Sequence, residues 1–110
     1  MIDVQEVSGT IVVQIAGTTL DAHTSKDVRR EIGAQLEVNK HVVLDLSQLT
    51  FVDSSGLGVL LACLRQVTAS GGDLKLCGLT PQVRSVFQLT RMHNVFSIHN
   101  TRDEAVRASH

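Results

Sequence analysis

The sequence lacks several features that would point directly to a ligand or a membrane. Its 110 residues carry ten basic and eleven acidic side chains, so there is no excess of positive charge to bind the phosphate backbone of a nucleic acid. No apolar run approaches the roughly 20 residues that a membrane-spanning helix needs, and the first residues do not begin a signal peptide. We therefore expect a cytoplasmic protein that binds neither nucleic acid nor membrane.

Residues that bind metals or cofactors are also sparse. Cys63 and Cys77 form no C-x-x-C pair, and both lie in apolar stretches where a free thiol usually packs as a small core residue. The five histidines show neither i, i+4 nor clustered ligand spacing. The chain also has no Gly-rich phosphate loop. We predict no metal site and no cofactor.

Length and composition indicate one globular unit. A chain of 110 residues with a hydrophobic content of 43% is long enough to bury one core. We predict a single domain over residues 1–110, without repeats or linkers.

Apolar periodicity predicts strands that alternate with helices. The predicted strands are 2–7, 11–15, 41–46, 73–77 and 95–98, and the predicted helices are 24–37, 54–70, 80–92 and a terminal one from 101. Ser8-Gly9 between the first two strands predicts a hairpin. Alternation of this kind predicts an α/β fold with a mixed, mostly parallel β-sheet of about five strands and about four α-helices.

Helix ends are predicted from capping residues. Thr24 with Asp27, and Thr101 with Glu104, have the spacing of capping boxes. Thr80 before Pro81 is typical of a helix start, and Asn94 is the expected left-handed residue after that helix.

The most informative stretch is Asp53-Ser54-Ser55-Gly56-Leu57-Gly58, which joins an apolar strand to an apolar-periodic helix. Ser54 at this junction is expected to cap the helix by accepting a hydrogen bond from a backbone N–H of the first turn. The same N–H groups and the helix dipole would favour a phosphate on the hydroxyl. The residues alone leave two interpretations open, a simple helix cap and a modification site.

An enzymatic role for this serine has little support. A hydrolase nucleophile elbow requires Gly two residues before and after the serine, and only Gly56 fits because the earlier position is Val52. No histidine is favoured as its base by spacing. We predict no catalytic residue and no enzymatic activity.

The central stretch resembles the signature of STAS domains, specifically the stand-alone bacterial anti-sigma factor antagonists. The similar residues are Leu44-Asp45-Leu46, Leu49 and Phe51 to Leu60, with further similarity at Leu20-Asp21, Thr24, Gly71-Gly72 and Leu79-Thr80-Pro81. The resemblance implies that Ser54 is a phosphorylation site. It also implies that the unmodified protein binds an anti-sigma factor that is a serine kinase of the histidine-kinase-like ATPase fold. Phosphorylation would end that binding, and a metal-dependent serine phosphatase would restore it.

The expected partner-binding surface lies around Ser54 and on the outer side of the following helix. Steps of 100° per residue would place Leu57, Leu60, Leu61 and Leu64 toward the core and Ser55, Val59, Ala62 and Gln66 nearly opposite. The alternative is that Val59 and Ala62 pack under a neighbouring helix. The predicted partner-binding residues are Asp21, Thr24, Asp53, Ser54, Ser55, Gly56, Gly58, Val59 and Ala62. Two alternatives stay open: a partner switch that controls secretion, motility or stress signalling without a sigma factor, and a module that binds a nucleotide or another small ligand.

Overall fold

The computed structural model describes residues 1–109, so His110, the last residue of the predicted domain, lies outside them. The strands are β1 (Ile2–Val7), β2 (Thr10–Ile15), β3 (Thr19–Leu20), β4 (His41–Asp45), β5 (Phe51–Val52), β6 (Asp73–Cys77) and β7 (Ser97–His99). The helices are α1 (Ser25–Val38), α2 (Ser54–Ala69), α3 (Pro81–Leu89) and α4 (Arg102–Ala108), with one 3-10 turn at Met92–Asn94.

Five strands form the main sheet in the order β1-β2-β4-β6-β7. Strands β1 and β2 pair in antiparallel fashion, and every other neighbouring pair is parallel. The predicted α/β class, with about five strands in a mixed sheet and about four helices, is confirmed. The β1–β2 hairpin turns through Ser8 and Gly9, whose φ angles of 52° and 82° fit the tight turn that suits the twist of a hairpin.

The helices cover the two faces of the sheet unequally. Helices α1, α2 and α3 pack on one face, where side chains such as Ile32, Leu60 and Phe87 are fully buried against the strands. Helix α4 covers part of the other face, and Ala105 and Val106 contact a small cluster around Val43 there. Parallel strands that helices cover on both faces are buried, and they are rich in apolar and β-branched residues. This explains the apolar run of β4.

Two helix starts were predicted correctly from their capping residues. The Thr80 hydroxyl accepts from the Val83 N–H at 3.4 Å and donates to the Leu49 carbonyl at 2.6 Å. The Thr101 hydroxyl accepts from the Glu104 N–H at 3.2 Å, and the Glu104 carboxylate accepts from the Asn100 N–H at 3.3 Å. Side-chain oxygens thus satisfy N–H groups that have no partner inside the helix.

Several local predictions were wrong. Thr24 precedes α1 without capping it through its side chain, because its hydroxyl contacts the preceding loop instead. The left-handed residue after α3 is Arg91, at φ 60°, and not Asn94, which lies in the 3-10 turn. That turn also delays the last strand, which begins at Ser97 and not at Val95.

Candidate functional site

The first turn of α2 is capped by Asp53 and not by Ser54, which corrects the sequence-based expectation. The Asp53 backbone is extended, with φ −100° and ψ −171°, and its Oδ1 accepts from the Gly56 N–H at 3.0 Å. Ser54 is therefore the first residue inside the helix. An Asp at this position also places a negative charge at the positive end of the helix dipole.

The second oxygen of Asp53 holds the loop before α1 against the site. Asp53 Oδ2 accepts from the Ala22 N–H at 3.3 Å. The short parallel pair β3–β5 aligns Thr19 with Phe51 and Leu20 with Val52, so the two segments run side by side into the site. The strands predicted from the sequence include neither β3 nor β5, because strands of two residues are too short to show a period.

Asp21 and Thr24 organise this loop from within. Asp21 Oδ1 accepts from the N–H groups of His23 and Thr24 at 2.9 and 3.2 Å. The Thr24 hydroxyl accepts from the Asp21 N–H at 3.1 Å and donates to the Thr19 carbonyl at 3.3 Å. These bonds form an Asx-type turn that fixes the backbone beside Ser54.

Gly56 lies where the helix touches the loop backbone. A Cβ atom at this position would lie 2.2 Å from the Leu20 carbonyl oxygen and 2.9 Å from Val52 Cγ1. Gly56 is buried, so its role in the structure is close packing between α2 and β3.

Ser54 and Ser55 both expose their side chains, but they lie in different surroundings. Ser54 is exposed beside the loop that Asp53 holds. Ser55 lines a cavity of about 330 Å³ between α1 and α2, together with Ser25, Lys26, Arg29, Gly58, Val59 and Ala62. The N–H groups of Ser54 and Ser55 precede the first helical hydrogen bonds, so they are free to bind an acceptor.

The predicted faces of α2 are partly corrected by the burial of its side chains. Leu57 and Leu60 are buried as expected, whereas Leu61 and Leu64 are only partly buried. The prediction that Val59 lies on the outer face is wrong, because only 7% of its surface is exposed and it packs into the core beside α1. Gly58 is exposed and Ala62 half-buried, so both reach the surface of the α1–α2 cavity.

One exposed side chain near the site was missed by sequence analysis. Phe51 is 53% exposed in β5, three residues before Ser54, whereas Phe87 and Phe96 pack together in the core at 5.8 Å between ring centroids. The sequence contains a signal for this exposure, because successive side chains of a strand point to opposite faces. If Val52 faces the core, Phe51 must face outward.

Both cysteines are free thiols buried in the core. Burial raises the pKa of Cys63 to about 11 and that of Cys77 to about 12, so both thiols are protonated and unreactive at neutral pH. Within residues 1–109, no three His, Cys, Asp or Glu side chains are grouped as a metal site. Over the same residues, none of the helices is long and apolar enough to cross a bilayer.

The structure is a small α/β module with a mostly parallel sheet, three helices on one face and an exposed serine at the start of α2. The STAS domain family model matches residues 1–105. The chain belongs to the STAS domain family.

Comparison with individual proteins agrees with this assignment. The chain is 30% identical over 107 residues to an anti-sigma F factor antagonist of Paenibacillus polymyxa, a match that covers 96% of this chain and 91% of that protein. Its fold is similar to a crystal structure of an anti-sigma factor antagonist from Mycobacterium paratuberculosis, at 26% identity and a TM-score of 0.88, with 99% and 92% of the two chains covered. The Bacillus cell fate determinant SpoIIAA in its phosphorylated form is similar at 26% identity and a TM-score of 0.72, with 100% of both chains covered. These comparisons confirm the family predicted from the sequence and support the role of an anti-sigma factor antagonist, which is a regulatory role.

Proposed function

We propose that this chain is an anti-sigma factor antagonist whose binding is switched off by phosphorylation of Ser54. The observation that carries the proposal is the exposed Ser54 side chain in the first turn of α2. There the free N–H groups and the helix dipole stabilise a phosphate. A homologous fold with a solved phosphorylated form, that of SpoIIAA, supports the same chemistry here.

Asp53 holds the start of α2 and the loop before α1 together. Both of its carboxylate oxygens already accept hydrogen bonds from backbone N–H groups, of Gly56 and Ala22. The proposal assigns it the task of holding the two segments that present Ser54. Phosphoryl transfer then depends on a partner that supplies the nucleotide.

The proposed partner is an anti-sigma factor that is also a serine kinase of the histidine-kinase-like ATPase fold. Unmodified protein binds it and thereby frees the sigma factor. The kinase phosphorylates Ser54 and ends the complex, and a metal-dependent serine phosphatase removes the phosphate. ATP and metal ions belong to these two enzymes.

The proposed contact surface surrounds Ser54. It includes Asp21 and Thr24 in the loop, Asp53 to Gly56 at the helix start, and Gly58, Val59 and Ala62 along α2. Gly56 and Val59 are buried, so they support the surface from beneath. We add to this surface the exposed ring of Phe51, which lies three residues before Ser54 in the chain.

The test compares Ser54→Ala and Ser54→Asp as immobilised proteins. We expect the Ser54→Ala protein to retain a kinase of the ATPase fold, identified by mass spectrometry, and the Ser54→Asp protein to release it. Ser8→Asp is the matched control, because Ser8 is exposed at the hairpin turn, where Asp is well tolerated.

The phosphorylated residue is then identified by intact mass after incubation with the purified kinase and Mg-ATP. We expect Ser55→Ala to gain one phosphate and Ser54→Ala to gain none. The opposite pattern would assign the phosphate to Ser55. Equal retention of the kinase by the Ala and Asp variants would contradict the switch itself.

A further inference from the structure

The cavity beside Ser55 continues into a second one along the α1–α2 contact. The second cavity has a volume of about 580 Å³ and shares Lys26 and Arg29 with the first. It ends near Glu37, so the joined groove follows α1 from residue 26 to residue 37. At a rise of 1.5 Å per residue this corresponds to about 16 Å, or three helical turns.

The groove is lined largely by small and apolar residues, and most of its charged side chains are cationic. Lys26, Arg29 and Arg30 line it, whereas Glu37 at its far end is the one acidic residue among the lining side chains of residues 1–109. Asp27, on the same helix, forms an ion pair with Arg30 at 3.1 Å. The protein as a whole has a net charge of −1, so this concentration of positive charge is local.

Lys26 lies in the first turn of α1, close to the positive end of the helix dipole, where a cation is unfavourable. Asp27 in the same turn pairs with Arg30, which lies in the second turn as Arg29 does. Helix α2 begins beside this groove, but the carboxylate of its Asp53 cap accepts from Gly56 and Ala22. Lys26 is therefore the lining cation best placed to pair with a carboxylate of a ligand.

Hydrogen bonds fix the two helices that form the groove, and small side chains leave its floor accessible. The Arg29 guanidinium donates to Gln66 Oε1 at 2.9 Å, and Gln66 Nε2 donates to the Gly33 carbonyl at 3.1 Å, which links α1 to α2. Gly33, Ala34, Gly58 and Ala62 present little side chain to the groove. A polypeptide backbone can therefore approach closely.

We infer that this groove binds an acidic segment of the partner protein. The inference rests on the proposed function, because it names the chemistry of the partner's contact. A groove about 16 Å long suits a short peptide segment, whereas a single small anion would contact only one end. Carboxylates of such a segment pair with Lys26 and with the outer edge of Arg29 and Arg30.

The inference also explains the direction of the switch. Ser55 lines the mouth of the groove and Ser54 is its neighbour in the same turn. A phosphate on Ser54 adds a charge of about −1.5 to −2 there. It repels the carboxylates of the partner segment and competes with them for Lys26.

The direct test is zero-length carbodiimide coupling in the complex with the purified kinase. This reagent joins a lysine amine to a carboxylate only when the two are in contact. We expect mass spectrometry to find Lys26 joined to an Asp or Glu within an acidic segment of the kinase. The Lys26→Gln variant should lose this crosslink. Failure to find any Lys26 crosslink in a complex that forms would overturn the inference.

The second test measures the affinity of the kinase for charge-reversed variants. We expect Lys26→Glu to weaken binding about 10-fold and to reduce its salt dependence, because a charge pair becomes a repulsion. The control is Lys40→Glu, which reverses an exposed lysine in the turn between α1 and β4 and should bind as the wild type does. If Lys26→Glu binds like the wild type while Ser54→Asp does not bind, the groove inference fails and the proposed switch stands. If the wild type does not bind the kinase, the proposed function fails.

Discussion

At the scale of single residues, four neighbours at the start of α2 have four different tasks. Asp53 caps the helix and holds the loop at Ala22, while Ser54 is exposed beside that loop. Ser55 faces the α1–α2 groove, and Gly56 packs against the Leu20 carbonyl. Because these tasks are physically distinct, substitutions can separate stability from binding.

Gly56→Ala is expected to destabilise the fold by about 1–3 kcal/mol, the usual effect of overpacking. The added Cβ would lie 2.2 Å from the backbone oxygen of Leu20, which cannot move as a flexible side chain could. The measurement is chemical denaturation monitored by circular dichroism.

Gly58→Ala, two residues further along α2, is the matched control. Nothing lies within 4 Å of a Cβ at Gly58, so the helix gains the propensity of Ala without a clash. We expect this variant to be as stable as the wild type or more stable by up to about 1 kcal/mol. Equal stability losses in both variants would show that Gly56 is not a close-packing position.

At the scale of elements, α4 is joined to the sheet by an ion pair and by the apolar contacts of Ala105 and Val106. The Arg102 Nε donates to Asp45 Oδ2, and its Nη1 donates to Gln5 Oε1 at 3.1 Å. Asp45 is almost fully buried at the end of β4 and also accepts from the Ser47 N–H at 2.9 Å. Because α4 has only seven residues and buries Ala105 and Val106, this pair adds a second anchor to its apolar contact.

The anchoring pair makes stability depend on pH in the acid range. Burial alone would raise the pKa of Asp45, but hydrogen bonds from Arg102 and Ser47 outweigh it and hold the pKa below its ordinary value of 3.8. Ionised Asp45 therefore stabilises the fold above pH 3.8, and this contribution is lost as the pH falls through the lowered pKa of the folded protein.

We expect Arg102→Met to lower the free energy of unfolding by about 2 kcal/mol at neutral pH, less than for a fully buried pair because Arg102 is partly exposed. The difference from the wild type should shrink below pH 3.8, where Asp45 becomes neutral. Urea unfolding at several pH values measures it. Arg107→Met, at an exposed position of the same helix, should show no such pH dependence. A difference that stays constant with pH would mean that the lost contribution is packing.

At the scale of the whole molecule, the candidate site and the main core are separate. The core lies between the sheet and helices α1, α2 and α3, whereas Ser54 is exposed at the start of α2. A phosphate on Ser54 is attracted by the helix N-terminus and repelled by Asp53. These effects are opposite in sign and each on the order of 1 kcal/mol, so they leave the fold intact.

We therefore expect phosphorylated and unmodified protein to have nearly equal melting temperatures, while partner affinity falls at least about 100-fold on phosphorylation. The loss of affinity comes from the desolvation of a dianion within a close interface, together with its repulsion of the partner's carboxylates. Calorimetry of the two forms, alone and titrated with the kinase, measures both quantities. A phosphorylated form that melts far lower would show that the switch acts by unfolding.

The sequence by itself determined the class of fold and the position of the central serine. Strands such as β4 and β6 were predictable because their apolar residues recur with a short period, and the Thr80 and Thr101 caps because capping is local. The segment from Asp53 to Gly58 was recognisable because its residue types serve one tight junction. Tertiary structure decided what depends on contacts between distant segments. Asp53, and not Ser54, became the cap because its carboxylate bonds both Gly56 and Ala22, 31 residues away. Val59 is buried because α1 packs over it, and the cationic groove exists only because α1 and α2 lie side by side. A helical period shows which residues share a face, but the neighbouring elements decide how much of that face remains exposed.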